Sequence, residues 1–578
     1  MVNRLKNLAL LLLIVLLAAF FRLIGLNWDQ GHYLHPDERF LSMTIAELKL
    51  PKNIAEYFDQ QSSTLNPRNI NRDFFVYGNL PISISKLTNE IFKKESLEEI
   101  IITGRYLSAI NDLLIILLIY LTVLLFENNF KQKKLRPHPQ TKFWASLVYA
   151  LAVLPIQQSH FFTTDTFLNL FVFLSFYFSL KYFFKNKLIY LILAGVSLGL
   201  AIACKITAIF ILPLNLSLLL LNNCWPIPQQ LGKNKILHNV KQILSKTIIF
   251  IVFGYLALRI TSPYIFASSS FFEINLSQEF ISDLEELKSF SDNEVWYPPA
   301  IQWMNRSQFF GLINLIIFGL GVVSSFFVLI GLKILFKKID SLLSNLKLQK
   351  PLLVLVLINF WLICFLIYYS AQFVQSMRYY LIIYPFLAML AGLAINNIIQ
   401  NKKNKLLSSI LIILILGIWP LMFISIYLKP HSRIQASEWI YQNIPEKSII
   451  LAEYWDDALP LNLAVYQNNY EIVQLPVFAP DDEYKWQEIE TSLSRADYYI
   501  LSSNRAWGSI KRLSDKYPQM SKFYQELLAN KTDYQLLAKF TSYPSLTYLG
   551  LNISFNDSWA EEAFSVYDHP EVLIFQKK

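Results

Sequence analysis

The sequence is poor in cysteine and in charge. Its 578 residues include only three cysteines, Cys204, Cys224 and Cys364, which lie in or beside apolar runs without CxxC spacing. Neither a disulfide framework nor a zinc site is therefore indicated. Charged residues make up 16% of the chain, compared with about 25% in an average soluble domain. Internal repeats and low-complexity segments are also missing from the sequence.

Apolar residues, in contrast, are abundant and grouped in long runs. Hydrophobic residues make up 54% of the chain and aromatic residues 15%, and the mean hydropathy is +0.37. A hydrocarbon core of about 30 Å needs about 20 apolar helical residues. Eleven segments approach that length and predict a polytopic α-helical membrane protein: 5–26, 105–126, 142–157, 162–183, 188–203, 206–221, 243–262, 309–335, 351–369, 379–398 and 406–428. The first resembles a signal peptide, but its apolar run continues to Leu26 without a small-residue cleavage pattern, which favours a retained span.

The charges are unevenly distributed. Residues 429–578 carry 14 Lys and Arg against 20 Asp and Glu, whereas residues 1–428 carry 37 against 22. A basic excess can indicate nucleic-acid binding, but here the basic residues lie in short loops between apolar runs, where they orient membrane helices. We therefore exclude nucleic acid as a partner. The basic loops 127–141, 184–187, 222–242, 336–350 and 399–405 predict a cytoplasmic amino terminus and an external carboxyl terminus.

Two domains follow from this division. Residues 1–428 are predicted to form the transmembrane domain, with outer loops at 27–104 and 263–308. Residues 429–578 alternate helical and strand patterns, which predicts an extracytoplasmic α/β domain. RIQASEWIYQNI and YPQMSKFYQELLAN are predicted helices, and SIILAEYW, ADYYILSS and VLIFQK are predicted strands. Four tail aspartates are expected to form a solvated face rather than a metal site: Asp456, Asp457, Asp481 and Asp482.

The predicted topology brings several ionisable residues to the outer face. They are His35, Asp37, Glu38, Arg105, Asp165, Lys205, Arg259 and Arg378. Ionisable residues at membrane depth are costly and usually face a cavity or a pathway inside the protein. Cations at such a depth suit a lipid phosphate. In the outer loop 263–308, the amphipathic stretch EFISDLEELKSF could lie on the membrane over such a site.

Each of these residues also has a structural interpretation. Pro36, Asp37 and Glu38 are the residue types that favour the start of a helix. Asp165 follows two threonines and could belong to a helix cap. Lys205 and Arg378 could extend to the surface with their stems in lipid. His35 and His160 are metal-ligand candidates or ordinary interfacial polar groups. Only the occurrence of all these residues at one face favours a functional site over the structural interpretations.

Six motifs occur in a recognisable order. They are HPDE (35–38), YGNLPI (77–82), GRYLSAINDLL (104–114), SHFFTTDTF (159–167), GVSLGLAIACKITAIFILP (195–213) and RYYLIIYPFLAMLAG (378–392). Over residues 5 to about 400 the chain resembles the integral-membrane glycosyltransferases of the protein O-mannosyltransferase and aminoarabinose transferase type. The resemblance implies the glycosyltransferase C-type fold and a bacterial protein of the inner (plasma) membrane, in contact with membrane lipids.

The resemblance also implies an activity and a site. Members of these families transfer a sugar from a polyprenyl-phosphate donor to an acceptor hydroxyl at the outer face, with inversion of the anomer. Asp37 is then the general base. Glu38 and Asp165 either position this base or help to hold a divalent metal ion, for which Asp37 and Asp165 are the candidate ligands. The donor would be bound by His35, Arg105, Lys205, Arg378 and Tyr379. The acceptor is left open between a lipid, a glycan and a protein.

The sequence departs from these families in two places. Where aminoarabinose transferases have a Lys-Pro-Pro-Leu stretch, this chain has Gly78-Asn79-Leu80-Pro81, so another cation must bind the lipid phosphate. The tail contains neither a sequon-binding motif nor a repeated β-trefoil pattern. A transporter or lipid-linked-sugar flippase is the alternative function, since intramembrane charges also mark translocation pathways. Paired halves with broken helices, which would favour a transporter, are not evident in the sequence.

Overall fold

The computed structural model describes residues 2–130, 136–224, 233–290, 297–343 and 350–578. Parts of three basic loops predicted to be cytoplasmic, 131–135, 225–232 and 344–349, lie outside the described residues. Residues 291–296 of the outer loop 263–308 lie outside them as well.

The described residues among the first 428 are mostly helical. Their helices are α1 (Val2–Leu23), α2 (Pro36–Glu47), α3 (Ile54–Phe58), α4 (Asn79–Phe92), α5 (Leu97–Asn129), α6 (Thr141–Ala150), α7 (Val153–Ser159), α8 (Asp165–Lys185), α9 (Leu188–Cys204), α10 (Leu212–Cys224), α11 (Lys233–Thr261), α12 (Gln278–Ser289), α13 (Pro298–Ile301), α14 (Phe310–Asn314), α15 (Val322–Leu343), α16 (Lys350–Ser370), α17 (Tyr384–Gln400) and α18 (Lys405–Ile424). Short 3₁₀ segments precede α10 at Ile206–Ile211 and α17 at Met377–Ile383.

Every predicted span coincides with helical structure, although not all are single long helices. Among the described residues, seven helices are long and apolar enough to cross a membrane. An eighth candidate, predicted as 309–335, is bent by 110° between Gly319 and Val322. Gly321 has a φ of +83° at this bend, and Leu315–Gly319 forms a π-helix, two features that interrupt regular helical hydrogen bonding. The segments Leu188–Cys204 and Ile206–Asn222 are shorter, and predicted span 142–157 is divided between α6 and α7.

The carboxyl-terminal part contains a five-stranded sheet. Its elements are α19 (Ser432–Asn443), β1 (Ile449–Glu453), β2 (Glu471–Leu475), α20 (Glu483–Arg495), β3 (Tyr498–Leu501), α21 (Arg505–Ile510), α22 (Pro518–Leu528), β4 (Tyr534–Phe540), α23 (Glu562–Ser565) and β5 (Val572–Lys577). The strand order is β2-β1-β3-β5-β4. Strand β1 pairs in parallel with β2 and β3, and β5 is antiparallel to β3 and β4. The predicted polytopic helical membrane protein with a carboxyl-terminal α/β domain is confirmed.

This α/β part packs against the ends of several membrane helices. Tyr427 Oη and Gln157 Nε2 donate hydrogen bonds to Asp568 Oδ2 at 2.8 and 2.9 Å. Both Glu561 carboxylate oxygens accept from the Met377 backbone amide, at 3.0 and 2.8 Å. These contacts bring the end of the chain against the segment that contains Arg378.

Candidate functional site

A cavity of about 770 Å³ lies where the membrane helices, the loop 27–104, α12 and the α/β domain meet. Five of the predicted site residues line it: Asp37, Asp165, Lys205, Arg378 and Tyr379. His35, Glu38 and Arg105 do not. Leu284, Leu287 and Lys288 of α12 also line the cavity, so the amphipathic stretch predicted to cover the site does border it.

The HPDE motif is both a helix start and part of the cavity wall. His35 is the N-cap residue of α2, and its Nδ1 accepts a hydrogen bond from the Glu38 backbone amide at 3.3 Å. Pro36 occupies the first turn, where a missing N–H costs nothing. Burial lowers the pKa of His35 to about 4, despite the nearby carboxylate of Asp37. The imidazole is therefore neutral at pH 7 and can accept this bond.

Asp37 faces the cavity with both oxygens engaged. Arg378 Nη1 lies 2.6 Å from Oδ2, and the Tyr77 hydroxyl donates to Oδ1 at 3.0 Å. Burial raises the pKa of Asp37, but the charge of Arg378 outweighs it, and with the hydrogen bonds from Arg378 and Tyr77 it holds the pKa at about 2. Asp37 is thus fully ionised at neutral pH.

Glu38 lies behind the cavity in a buried ion cluster. Arg105 Nε and Nη2 contact its two oxygens at 2.8 and 2.6 Å, and the Phe162 amide donates to Oε1 at 2.9 Å. Arg105 also binds Asp29 at 3.0 and 2.9 Å. Arg105 and Glu38 have no exposed surface. Arg105 is fully used in fixing α2 to α5, so it is not placed to meet a donor phosphate.

Lys205 and Asp165 form the second ion pair of the cavity. Asp165 is the first residue of α8, and Lys205 follows α9 with an extended backbone. Lys205 Nζ lies 2.8 Å from Asp165 Oδ1. Lys205 Nζ and Arg378 Cζ are 5.2 and 5.6 Å from the centre of the Tyr379 ring. The two cations therefore share one aromatic neighbour, and their side chains are in ion pairs rather than extended along lipid.

The glycine that replaces the expected lysine has a packing reason. The Gly78 amide donates to the Cys204 carbonyl at 3.1 Å. A Cβ at Gly78 would lie only 2.0 Å from the Ala203 carbonyl oxygen, a distance that backbone atoms cannot accommodate. The first outer loop is thereby held against the end of α9, one residue before Lys205.

The two cavity carboxylates do not form a ready metal site. A divalent ion needs several oxygen or nitrogen ligands, whereas Asp37 and Asp165 are each paired with a cation. Across the described ranges, no group of three or more His, Cys, Asp or Glu side chains is arranged to hold a metal ion. Asp37 and Asp165, each paired with a cation, therefore do not form a complete ligand set for the predicted divalent ion in the free protein.

The α/β domain contributes cavity residues that the sequence did not indicate. They are Arg433, Trp455, Asp456, Asp457, Arg505 and Tyr567. The expectation of a solvated acidic face is wrong for these aspartates, because Arg433 Nη2 and Nη1 bind Asp456 and Asp457 at 2.5 and 2.8 Å. It is also wrong for Asp481, which is buried against Lys485. Asp482 is exposed as predicted, and its side chain caps α20.

Tyr567 explains part of the VYDHPEVLIF ending. Its ring centre lies 4.4 Å from that of His35, and Arg505 Cζ is 5.8 Å from the Tyr567 ring centre. Tyr567 thus connects the helix that contains Asp37 with the α/β domain. Position in the sequence gave no signal for this contact, because more than 500 residues separate the two rings.

Comparison with known proteins agrees with the motifs. The sequence model of the dolichyl-phosphate-mannose-protein mannosyltransferase family matches residues 89–265, a segment that contains three of the six motifs. The match confirms the predicted resemblance over this part of the chain. No curated protein matches the sequence.

Several solved structures are similar at low identity. The oligosaccharyltransferase of Archaeoglobus fulgidus, in complex with zinc and sulfate, has a TM-score of 0.47 and 11% identity, covering 98% of this chain and 88% of that chain. ArnT from Cupriavidus metallidurans bound to undecaprenyl phosphate has a TM-score of 0.45 and 13% identity, covering 98% of each chain. The S. cerevisiae protein O-mannosyltransferase Pmt1-Pmt2 complex bound to the sugar donor has a TM-score of 0.33 and 15% identity, covering 44% and 33%. TM-scores below 0.5 do not by themselves establish a shared fold.

Proposed function

We propose that this protein is a glycosyltransferase that moves a sugar from a polyprenyl phosphate to an acceptor hydroxyl at the outer face of the membrane. One observation carries the proposal: a single cavity at the ends of membrane helices brings together Asp37 and Asp165, each ion-paired with a cation that also lines the cavity. The matching family supports it, since its description names a dolichyl-phosphate-linked mannose, which is a polyprenyl-phosphate sugar.

Lys205 and Arg378 are the proposed phosphate ligands. Their side chains are 21% and 31% exposed, so each can reach a ligand in the cavity while its stem stays packed. The anionic phosphate competes with Asp37 for Arg378 and with Asp165 for Lys205. Charge-assisted hydrogen bonds to phosphate are strong enough for this exchange, and Tyr379 forms the surface between the two cations.

Asp37 is the proposed general base. The acceptor oxygen attacks the anomeric carbon, and an Asp37 oxygen takes the hydroxyl proton. The bond from the anomeric carbon to the phosphate oxygen breaks, and the phosphate leaves with the electron pair, neutralised by Lys205 and Arg378. Attack opposite the leaving group inverts the anomer. A pKa of about 2 makes Asp37 a weak base; when Arg378 turns toward the phosphate, its lowering effect is reduced and Asp37 becomes a stronger base.

The remaining predicted residues have positioning roles in this mechanism. His35 caps α2, and the Glu38–Arg105 pair fixes that helix to α5. Both keep Asp37 directed into the cavity without touching the substrates. Asp165 holds Lys205 until the donor arrives. No step passes through a metal ion.

The location follows from the same assignment. The chain is an integral membrane protein, and we place its amino terminus in the cytoplasm and its α/β domain, residues 429–578, outside the plasma membrane of a bacterium. The basic loops between spans support this orientation. The cavity then faces the side on which the proposed acceptor is found.

The test uses detergent-purified protein without any vesicle. Radiolabelled undecaprenyl-phosphate mannose and undecaprenyl-phosphate aminoarabinose are supplied separately, each with a detergent extract of bacterial envelope lipids, glycans and proteins as the source of acceptor hydroxyls, and the release of undecaprenyl phosphate is followed. Consumption of either donor, lost in Asp37→Asn, supports glycosyl transfer. A transporter or flippase moves its substrate unchanged across a bilayer, so donor that stays intact in detergent but crosses the membrane of reconstituted vesicles would contradict the proposal.

A further inference from the structure

The cavity wall formed by the α/β domain has a different chemistry from the wall formed by the membrane helices. Trp455 of this domain lines the cavity next to Tyr297 of the loop 263–308, with the two ring centres 5.5 Å apart and their planes at 87°. Beside them, Arg433 binds Asp456 and Asp457. The two rings, here called the aromatic corner, therefore lie next to a guanidinium group and two carboxylates that can form hydrogen bonds with a ligand.

Trp455 is held in an unusual backbone conformation. Its φ is +77°, a left-handed region that is sparsely populated by bulky residues and costs free energy. Its carbonyl accepts a hydrogen bond from Arg505 Nη1 at 2.5 Å, which fixes this turn. Trp455 is nevertheless 37% exposed, so packing alone does not account for a large aromatic residue where glycine would be unstrained.

This aromatic corner is connected to the proposed base. Arg39, two residues after Asp37 on α2, binds Asp457 Oδ1 at 3.2 Å. Lys205 and Asp165, in contrast, come from the membrane helices. A donor phosphate at Lys205 and Arg378 leaves the part of the cavity lined by Trp455 for the second substrate.

We propose that Trp455 and Tyr297, with Asp456 and Asp457, form the acceptor subsite, and that the acceptor is a carbohydrate. This inference rests on the proposed function. A pyranose ring has an apolar face that packs on an aromatic ring and a hydroxyl edge that pairs with carboxylates and guanidinium groups. None of the described strands lines the cavity, so a polypeptide acceptor lacks the strand edge on which extended peptides commonly pair.

The experiment measures binding, which needs no turnover. Purified protein is titrated with fluorescently labelled chitohexaose, maltohexaose and mannohexaose and, separately, with a labelled Ser/Thr-rich peptide. At least one oligosaccharide should bind with a Kd at or below about 1 mM. Trp455→Ala should weaken that binding on the order of 10- to 100-fold, through the loss of ring packing.

Two further variants make the result specific. Trp559→Ala is the matched control, since Trp559 is 44% exposed in the same domain and does not line the cavity; it should bind the oligosaccharide like the unchanged protein. Trp455→Gly relieves the left-handed conformation, so its melting temperature should be unchanged or higher while binding is lost.

Three outcomes would overturn the inference: no binding of any of the three oligosaccharides, equal weakening by Trp455→Ala and Trp559→Ala, or binding of the peptide that depends on Trp455. Donor consumption is measured independently, so failure of the acceptor assignment and failure of the proposed function give different results.

Discussion

Replacing Asp37 with Asn separates a catalytic carboxylate from a residue that only begins a helix. The cap of α2 is the His35 ring rather than Asp37, so the substitution removes only a charge near the positive helix end, worth about 0.3–1 kcal/mol. It also removes the ion pair with Arg378. The side chains of Asp37 and Arg378 are 25% and 31% exposed, and such a pair contributes no more than about 1 kcal/mol. The expected loss of folding free energy is about 1–2 kcal/mol.

The expected effect on catalysis is larger. Loss of a general base lowers the rate by roughly 10² to 10⁴, which corresponds to about 3–5 kcal/mol of activation free energy. The assay follows donor consumption by detergent-purified Asp37→Asn together with its melting temperature. Glu47→Gln is the control, because it removes an ion pair with Arg72 at the other end of the same helix, outside the cavity. Turnover within about threefold of the unchanged protein, with normal melting, would refute the assignment of Asp37 as the base.

Four further outcomes are expected. Lys205→Gln should raise the donor KM on the order of 10- to 100-fold by removing one charge-assisted contact of about 1.5–3 kcal/mol; an unchanged donor KM would contradict its phosphate role. In Arg378→Gln, burial still raises the pKa of Asp37, but the positive charge that lowers this pKa is gone. The acidic limb of the kcat/KM profile should therefore move to higher pH. An acidic limb at unchanged pH would show that it does not report the ionisation of Asp37. Glu38→Gln breaks a fully buried ion pair and should destabilise the protein by about 3 kcal/mol or more, measured as a lower melting temperature. A reporter inserted at Lys403 should be cytoplasmic and one fused to the carboxyl terminus external, and matching locations would exclude the proposed orientation.

Features that depend on local sequence were predictable. A long apolar run must be helical in a bilayer, because every backbone polar group has to be satisfied within the segment. The sequence therefore locates the spans even where the structure divides one, as between α6 and α7. The predicted strands of the tail are likewise found in β1, β3 and β5. Strands β2 and β4 were missed, and both are largely exposed and lack a clear apolar pattern.

Partnerships between distant residues were not predictable. Arg105 and Arg378 are both arginines near the outer ends of spans, but one is buried against Glu38 and the other meets Asp37 across 341 positions. Composition cannot show which carboxylate each cation meets. The same limit explains why Asp456 and Asp457 were wrongly expected to form a solvated face. Adjacent acidic residues are solvated unless a distant cation binds them, and here Arg433 does.

The ion pairs of Asp37 with Arg378 and of Asp165 with Lys205 also explain how these charged groups are stabilised in the free protein. An unpaired ion taken out of water costs several kcal/mol, so Asp37 with Arg378 and Asp165 with Lys205 stabilise one another in the free protein. Their partial exposure keeps the pairs weak enough to open. A phosphate that binds both cations releases both carboxylates at once, which frees Asp37 to act as a base only when a leaving group is present. Donor binding and activation of the base are therefore one event in the proposed mechanism.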